Sequence, residues 1–330
     1  MCWMGLFSLT ANLPSVRILL SYSSLSKRPS LFQSLTGLKV SEFDNFYTQA
    51  LGRYRDSEAR RLARPDRKRK VGAGYPFKLP LQERLLMFLV YYRLYITSTL
   101  TEVLFDLNQS NVLKDIHKLE PLVKEILPSP NKLHDKAMRL QRVKEIEAMF
   151  PEFKAFTDAT EQEIPRPQDK TKRKTHYSGK KKRHTVKTQI TVNSKGLIVH
   201  KTAHARGSTH DYSLFKRSHP HLPDKVRQGF DLGYVGIKQD YPNLNCVVPF
   251  KKKNPGRGKR GVMAQELPEY QKAANKTLAK ERIVVEHTNS RLKKFLIWGG
   301  EFRNRAKRYD IMTDIVSGIV NFRILGTLTI

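Results

Sequence analysis

The stretch HTVKTQITVNSKGLIVHKTA, residues 184–203, indicates the fold more directly than any other part of the chain. Apolar or β-branched side chains alternate with other residues along its first half, at Val186, Thr188, Ile190 and Val192. This two-residue period is typical of a half-buried strand. A turn at Asn193–Lys195 and a second strand over Gly196–Ala203 follow. Because FKAFTDATE at 153–161 has a strand pattern too, the three segments predict an antiparallel meander.

The elements after this meander alternate between helix and strand. They are a helix over His210–Ser218, a strand over Gly229–Tyr234, a short helix over Val235–Asp240, a strand over Asn245–Phe250 and a long helix over Glu266–Leu296. Helices covering a sheet give a mixed α/β layout. In such a sheet the first and fourth strands can be neighbours.

The first half of the chain predicts helices instead. LQERLLMFLVYYRLY at 81–95 is apolar nearly all round, which favours a buried helix, with a core strand as the alternative. We expect a short helix over Thr99–Phe105 to face inward through Leu100, Val103 and Leu104. A turn at 107–109 and a helix over Asn111–Leu119, capped by Ser110, complete a helix-turn-helix pattern.

A helix-turn-helix places its second helix in the major groove of DNA. Asn111, Lys114 and Lys118 lie on the outer faces of that helix, where Asn and Lys side chains can contact base edges or phosphates. A plain helical hairpin without DNA contact is the alternative.

The charge of the chain points to a polyanionic partner. Its 330 residues carry 61 Lys and Arg against 30 Asp and Glu, a formal net charge of +31. Residues 1–150 hold 24 basic and 14 acidic residues, and residues 151–330 hold 37 and 16, so both halves are basic. This excess is far beyond what solubility requires and indicates nucleic-acid binding.

Three basic runs concentrate this charge. They lie at Arg53–Lys70, at Asp169–Lys187 and at Lys251–Arg260. Each run alone could be a solvated linker or could follow a DNA backbone, and three runs on one chain favour the backbone. The second run contains Lys180, Lys181, Lys182 and Arg183.

The termini and cysteines bear on the compartment. Met1–Ser26 is apolar and Ser-rich, and Arg17 is its one charged residue. We interpret residues 1–34 as a weakly structured extension from a start codon placed too far upstream; a signal peptide is the alternative, but its positive charge should precede the apolar stretch. Cys2 and Cys246 are too few for a disulfide framework or a zinc module. So few cysteines fit a reducing, cytoplasmic compartment. No run of eighteen apolar residues occurs, so we expect no membrane span.

Three acids fall on different predicted elements of the second half. Asp158 lies on the first strand, Asp231 near the end of the fourth, and Glu286 on the long helix. Taken singly, each has an ordinary explanation: a turn cap, a turn former, or a solvated partner of Arg282. Together, carboxylates from adjacent strands and a covering helix can hold Mg²⁺ or Mn²⁺. Two such ions could clamp the oxygens of an in-line phosphoryl displacement.

Two further features lie near these acids. Arg282, Glu286, Asn289 and Lys293 share one helical face, so two cations flank the Glu and suit a DNA strand lying along the helix. His210 and Asp211 invite a general acid–base pair. We expect Asp211 instead to satisfy free N–H groups at a helix N-terminus, and at most to support the site.

The residues around the acids resemble a known family. Five motifs occur in order: DATEQEIPRP (158–167), YSGKKKRHTVKTQ (177–189), GSTHDYSLF (207–215), FDLGY (230–234) and VEHTNSRLKKF (285–295). Together they look like the DDE insertion-sequence transposases that have an N-terminal helix-turn-helix and a ribonuclease-H-like catalytic domain. KVGAGYPFKLPLQERLLMFLVYYRLY (70–95) resembles the entry to that helix-turn-helix, and the resemblance covers roughly residue 35 to the C-terminus.

The resemblance implies a helical DNA-binding domain over 35–150 and a ribonuclease-H-like α/β/α catalytic domain over 151–330. Asp158, Asp231 and Glu286 match the family's catalytic triad, which holds two Mg²⁺ or Mn²⁺ ions. Related families have a Tyr where this chain has Ala279, so no role is taken from that Tyr.

The implied activity is DNA cleavage at terminal inverted repeats and strand transfer into target DNA, by a homodimer in the synaptic complex. The basic run at 53–70 would then support binding of the ends, and the runs at 180–183 and 251–260 would hold the DNA backbone or target DNA. The location that this implies is cytoplasmic and nucleoid-associated, in a prokaryotic host. Three alternatives stay open. The first is a metal-dependent endonuclease without strand transfer. The second is an inactive, domesticated DNA-binding protein, and the third is a ribosome-associated RNA-binding protein, which explains the charge but not the spacing of the acids.

Overall fold

The computed structural model describes residues 19–252 and 266–328, apart from Arg64, Arg67, Arg69 and residues 71–75. Eight helices precede the first strand in these residues. They are α1 (Tyr22–Leu25), α2 (Pro29–Thr36), α3 (Val40–Leu62), α4 (Leu81–Leu94), α5 (Ser98–Phe105), α6 (Gln109–Ile126), α7 (Pro130–Arg139) and α8 (Val143–Met149).

Helix α4 is the centre of this helical part. Every side chain from Arg84 to Tyr92 is buried, as the apolar pattern predicted, and the core-strand alternative is wrong. The Arg84 guanidinium lies inside the core and donates to both carboxylate oxygens of Asp115 on α6, at 3.0 and 2.8 Å. A buried pair of this kind depends on both partners, because removing one leaves an uncompensated charge. It therefore fixes α4 against α6.

Helices α5 and α6 form the predicted helix-turn-helix, with two differences at α6. Its N-cap is Asn108, whose side-chain oxygen accepts the N–H of Ser110, so the predicted cap at Ser110 is wrong. The helix also runs past Leu119 to Ile126, with Pro121 inside it. Burial of Leu119, Leu122, Val123 and Ile126 against the core offsets the hydrogen bond that Pro121 cannot donate.

Helix α5 turns a different face inward from the one predicted. Leu100 is 46% exposed and Val103 is 55% exposed, so their predicted inward orientation is wrong. Thr101 and Phe105 take the core side instead. The Thr97 side chain accepts the Leu100 N–H and sets the first turn, and Asp106 ends the helix with a φ of 49°.

Residues 19–34 are not the weakly structured extension that the composition predicted. Leu25 of α1 and Phe32 of α2 are buried in the main core. The N–H of Leu20 bonds to the carbonyl of Leu104, and the N–H of Tyr22 bonds to the Glu83 carboxylate. That interpretation is wrong for these residues because their aromatic and aliphatic side chains have partners on α3, α4 and α5. Residues 1–18 lie outside the described residues.

The described part of the second half forms one seven-stranded sheet. Its strands are β1 (Lys154–Glu163), β2 (Tyr177–Ser178), β3 (Arg183–Asn193), β4 (Ile198–Lys201), β5 (Ala205–Arg206), β6 (Arg227–Gly229) and β7 (Cys246–Val247). The order is β2-β3-β1-β6-β7, and β4 and β5 also pair with β3. The antiparallel pairing of β1 with β3 and of β3 with β4 confirms the predicted meander.

The parallel pair β1–β6 confirms that the first and fourth predicted strands are neighbours. Phe156 is in register with Gly229, the last residue of β6. Asp158 and Asp231 each lie two residues beyond this pair. Parallel strands advance at the same rate, so this register brings the two acids to the same level of the sheet.

Six more helices follow β1 in the described ranges. They are α9 (Lys170–His176), α10 (Asp211–Arg217), α11 (Ile237–Asp240), α12 (Glu269–Lys293), α13 (Leu296–Gly299) and α14 (Tyr309–Leu325). Helix α12 packs on β1 and β3, and α14 packs on β4 and on α6 and α7. The mixed helix-and-sheet class is therefore confirmed, with the helix-turn-helix at the N-terminal end.

Two hydrophobic clusters cross the predicted domain boundary at residue 150. The larger joins Phe88 of α4 and Ile116 of α6 to Phe156 of β1, Val285 of α12 and Ile315 of α14. The smaller joins α7 and α8 to β1 and β4. None of the helices in the described ranges is both long and apolar enough for a membrane span.

Candidate active site

Asp158 lies in the middle of β1, on the sheet face that α12 covers. Asn289 of α12 donates from Nδ2 to its Oδ2 at 2.9 Å. Burial raises the pKa of Asp158 to about 6; the Arg282 guanidinium opposes this shift, whereas the carboxylates of Asp231 and Asp211 add to it. The shift reports a carboxyl group that is taken out of water among other acids. Such perturbed acids are concentrated at functional sites.

Asp231 follows β6 directly. Its Oδ1 accepts the N–H of Gly233 at 2.6 Å and caps the single 3₁₀ turn Leu232–Tyr234. The sequence predicted a strand as far as Tyr234, but this Asp turn ends the strand at Gly229. Oδ2 takes no part in this bond, so the carboxylate can serve the turn and still coordinate or accept elsewhere.

Glu286 lies on α12 among the residues predicted to share its face. With Asp158 and Asn289 it lines a cleft of about 480 Å³. Arg282 and Glu286, both described, form no ion pair. The interpretation of the two as a surface pair is therefore wrong: Glu286 is exposed and lines the cleft, whereas Arg282 is half-buried and its Nε has no hydrogen-bond partner.

Lys293 closes the same cleft beside the β2–β3 hairpin. Desolvation lowers the pKa of its ammonium group although part of the side chain stays exposed, and Lys181 lowers it further; Asp158 and Glu161 act in the opposite direction. Lys180 and Lys181 line the cleft as well. Cations therefore border the acids, as expected for a site that takes a polyanion.

A fourth carboxylate, Asp211, enters the site from the first turn of α10. A Cβ atom at Gly233 would lie 2.9 Å from Asp231 Oδ1 and 3.9 Å from Asp211 Oδ2, so the two carboxylates approach the same point. Asp211 is the first residue of the helix as predicted, with His210 as the N-cap, but its carboxylate accepts from Lys187 and does not satisfy the free N–H groups of the helix. Its closeness to the other acids was missed, because it depends on contacts between distant segments.

Lys187 of β3 holds Asp211 in place. Its ammonium donates to Asp211 Oδ1 at 2.7 Å and to the Thr209 carbonyl at 2.8 Å, and it lies 3.5 Å from Glu161. Lys187 is buried, so the pair is protected from solvent. The alternating pattern of β3 predicts that Lys187 points away from Val186 and Thr188, but its acidic partners could not be predicted because they lie on other segments.

Whether these acids suit a divalent cation can be tested on the donor atoms. Carboxylate oxygens are the donors that Mg²⁺ and Mn²⁺ prefer. Asn289 Oδ1, next to Asp158, is buried without a hydrogen-bond partner, and so is Thr160 Oγ1 on the same strand. Among the described residues no three acids, histidines or cysteines are close enough together to hold a metal. The donor chemistry therefore fits a hard cation, and the acids would have to approach one another to bind it.

Apart from Arg282 and Lys293 of α12, the residues predicted to contact DNA fall into two surfaces. On α6, Asn111 and Lys114 are exposed. Lys118 is instead paired with Glu58 of α3 at 2.9 Å, and its ammonium lies 4.5 Å from the centre of the Phe77 ring.

The second surface is the β2–β3 hairpin, where the exposed cations are Lys180, Lys181, Lys182 and Arg183. Lys182 takes a left-handed conformation, with a φ of 56°, at the turn. The basic run at Arg53–Lys70 is described only in part. Of Lys251–Arg260, residues 253–260 lie outside the described residues.

Comparison with known proteins agrees with this layout. A family model described as "DDE superfamily endonuclease" matches residues 157–321, and one described as "Helix-turn-helix of DDE superfamily endonuclease" matches residues 77–129. The first range contains all four acids of the site, and the second contains α4, α5 and α6.

A relative gives the same result over most of the chain. The probable transposase for insertion sequence element IS702 of Microchaete diplosiphon is 31% identical over 264 residues, which cover 80% of this chain and 88% of that protein. No solved structure matches the chain significantly. On these matches, the chain belongs to the DDE superfamily of endonucleases and is a DDE-family transposase with a helix-turn-helix domain.

Proposed function

We propose that this protein binds the terminal inverted repeats of its own element, cleaves DNA there, and joins the freed 3′-hydroxyl to a target phosphodiester. One observation carries the proposal. Asp158 and Glu286 line a single cleft, and Asp231 lies near enough to Asp158 to raise its pKa, in a chain of the DDE family.

Asp158, Asp231 and Glu286 would hold the divalent cation, with two Mg²⁺ or Mn²⁺ ions as the expected complement. When bound, such ions acidify water and stabilise the charge on the displaced oxygen. The catalytic part would then be the ribonuclease-H-like α/β/α domain over 151–330, preceded by the DNA-binding domain over 35–150.

The chain's own side chains would prepare the cleft. Asn289 fixes one oxygen of Asp158 and leaves the other free to bind. Lys187 neutralises Asp211, which reduces the repulsion among four neighbouring carboxylates. Arg282, one turn before Glu286, and Lys293, two turns after it, would contact the phosphates of the strand being cut.

The helix-turn-helix would recognise the repeats through Asn111 and Lys114 on α6, with Lys118 as a supporting residue. The hairpin cations at 180–183 would hold the backbone near the cleft. Pairing of two element ends requires two copies of the chain, so we expect a homodimer in the synaptic complex. A cytoplasmic, nucleoid-associated location follows from this role.

The test is cleavage and joining of labelled DNA built from the gene's own flanks, with Mg²⁺ or Mn²⁺. Wild type is compared with Asp231→Asn, which keeps an oxygen for the Gly233 N–H but removes the charge. We expect metal-dependent 3′-end release and joining, reduced at least a hundredfold in the variant, on the order of 3 kcal/mol of transition-state stabilisation.

Asp224→Asn is the matched control, because Asp224 is exposed and lies outside the cleft. It should behave as wild type. Cleavage without joining would favour a metal-dependent endonuclease. DNA binding without cleavage, equal in all three proteins, would contradict the enzyme and leave a domesticated DNA-binding protein.

A further inference from the structure

A second, larger cavity adjoins the candidate active site. It measures about 880 Å³ and lies between β5 and α10. Ser208, Thr209 and His210 line both this cavity and the acidic cleft, so the two are separated only by this short rim. A flexible chain that leaves the cleft over the rim enters the cavity directly.

The lining of the cavity is cationic. It contains Arg206 and Arg217 but no Asp or Glu. Arg206 and Arg217 are both exposed, and neither guanidinium has a carboxylate partner among the residues that the structure describes. Two unpaired guanidinium groups in one concave surface favour an anion as the ligand.

Hydroxyl groups add neutral donors to the same surface. The side chains of Thr209 and Ser213 line the cavity, and neither hydroxyl has a recorded partner within the described ranges. Ser and Thr hydroxyls together with Arg are the usual contacts to the phosphates of nucleic acids.

The rim is held rigidly to the catalytic strands. The Gly207 N–H bonds to the Thr185 carbonyl at 2.9 Å, and a Cβ atom at Gly207 would lie 2.1 Å from Thr185 Oγ1 and 2.7 Å from the His176 carbonyl. Thr209 accepts from Lys187, which also holds Asp211. The position of the cavity relative to the acids is thus fixed by contacts that only glycine allows.

We propose that this cavity binds the phosphodiester backbone of the DNA strand that flanks the cleaved bond, with Arg206 and Arg217 each contacting a phosphate. The inference rests on the proposed function for the identity of the strand. A free small anion fits less well, because the cavity is open and continuous with the cleft.

The experiment measures DNA binding rather than cleavage. Full-length protein carrying Asp231→Asn is titrated, with EDTA present, into a fluorescent duplex of arbitrary sequence at several NaCl concentrations. In the same background we compare Arg206→Ala/Arg217→Ala with Arg142→Ala, which removes an exposed cation from a different surface. The slope of log K against log salt is negative, and loss of two phosphate contacts should make it less steep by about 1.8 relative to the parent.

A charge-conserving double change, Arg206→Lys/Arg217→Lys, should recover most of that slope, which separates lost charge from a disturbed fold. The inference is overturned if the double Ala variant and Arg142→Ala have the same slope, or if the double Lys variant loses as much as the double Ala variant. Because no cleavage is needed, failure of the cleavage assay would leave this result intact, and the two proposals fail separately.

Discussion

At the scale of single residues, the ionisation of Asp158 governs what the site can do. The acid must be deprotonated to serve as an anionic ligand, yet burial raises its pKa to about 6. At neutral pH the protein therefore keeps an ionised carboxylate at a buried position beside other acids, which is energetically unfavourable. Strain of this kind costs stability and is expected where function requires it.

The cost can be measured with Asp158→Asn. A carboxyl group with a raised folded-state pKa destabilises the fold above its unfolded pKa, so the variant should gain stability as pH rises from about 4 to 6. At pH 7 the gain should be on the order of 2–3 kcal/mol. It should vanish below about pH 4, where both states are protonated.

The measurement is urea unfolding of both proteins from pH 3 to pH 8 with EDTA present. Asp224→Asn, an exposed acid, controls for the loss of a negative charge from a basic protein. A gain for Asp158→Asn that does not change with pH would mean that the carboxyl group is not under electrostatic strain.

At the scale of elements, α6 presents two lysines with different surroundings. Lys114 is exposed and has no recorded partner among the described residues, whereas Lys118 binds Glu58 and packs on Phe77. Sequence alone gave them the same role, since both lie on the outer faces of the helix. The position of α3 decides between them, and that position depends on contacts made 60 residues away in the chain.

Lys114→Ala and Lys118→Ala should therefore fail in different ways. Lys114→Ala should reduce the salt slope of DNA binding by about 0.9 without changing thermal stability. Lys118→Ala should change the slope less and lower the free energy of unfolding by roughly 0.5–1 kcal/mol, through the loss of a partly buried ion pair and a cation–π contact. Equal slopes for the two variants would refute the distinction.

The long periodic elements could be predicted from sequence, and the short or long-range ones could not. The apolar surface of α4 is buried as its pattern indicates. β3 forms where its alternation predicts a strand, but every residue from Thr185 to Asn193 is buried, so both faces are covered and the strand is not half-buried. The order of the predicted elements placed Asp158 and Asp231 near each other, although β6 ends at Gly229 and Asp231 lies in the turn after it. The contribution of Asp211 could not, because it follows from the bond between Lys187 and the α10 loop.

Errors at the N-terminal end have a common cause. Phe32 was assigned to an extension because the composition around it is unusual, but a single aromatic residue with partners on another helix is enough to order a segment. Leu100 and Val103 were placed inside by hydrophobicity alone, yet Phe105 competes for the same space and buries more surface.

At the scale of the whole molecule, histidines lie where the helical part meets the sheet. His134 of α7 and His200 of β4 have ring centres 5.1 Å apart. His134 Nε2 and His200 Nδ1 are both buried without partners. Burial lowers the pKa of His200 to about 3, with His134, Lys201, His219 and His221 acting in the same direction. The junction is therefore built for neutral imidazoles.

Lowering the pH should destabilise the packing around His134 and His200. Because the folded-state pKa of His200 lies below its unfolded value of 6.5, stability is lost as pH falls below about 6.5. His200→Phe, which removes the titrating group, should gain about 2 kcal/mol over wild type at pH 5 beyond any gain at pH 8. Thermal unfolding at the two pH values tests this, with His287→Phe, an exposed histidine of α12, as the control. A gain equal at both pH values would exclude the titration.

The larger cluster that crosses residue 150 has a consequence for how a cut site is chosen. Phe88, Ile116, Phe156 and Val285 pack in one cluster. The DNA-contacting residues of α6 therefore cannot move relative to the acids without disrupting this core. Given the proposed activity, the fixed distance between α6 and the acids sets the number of base pairs between the recognised sequence and the bond that is cut. If the recognised sequence were moved by one base pair relative to the end of the element, a different phosphate would lie at the acids.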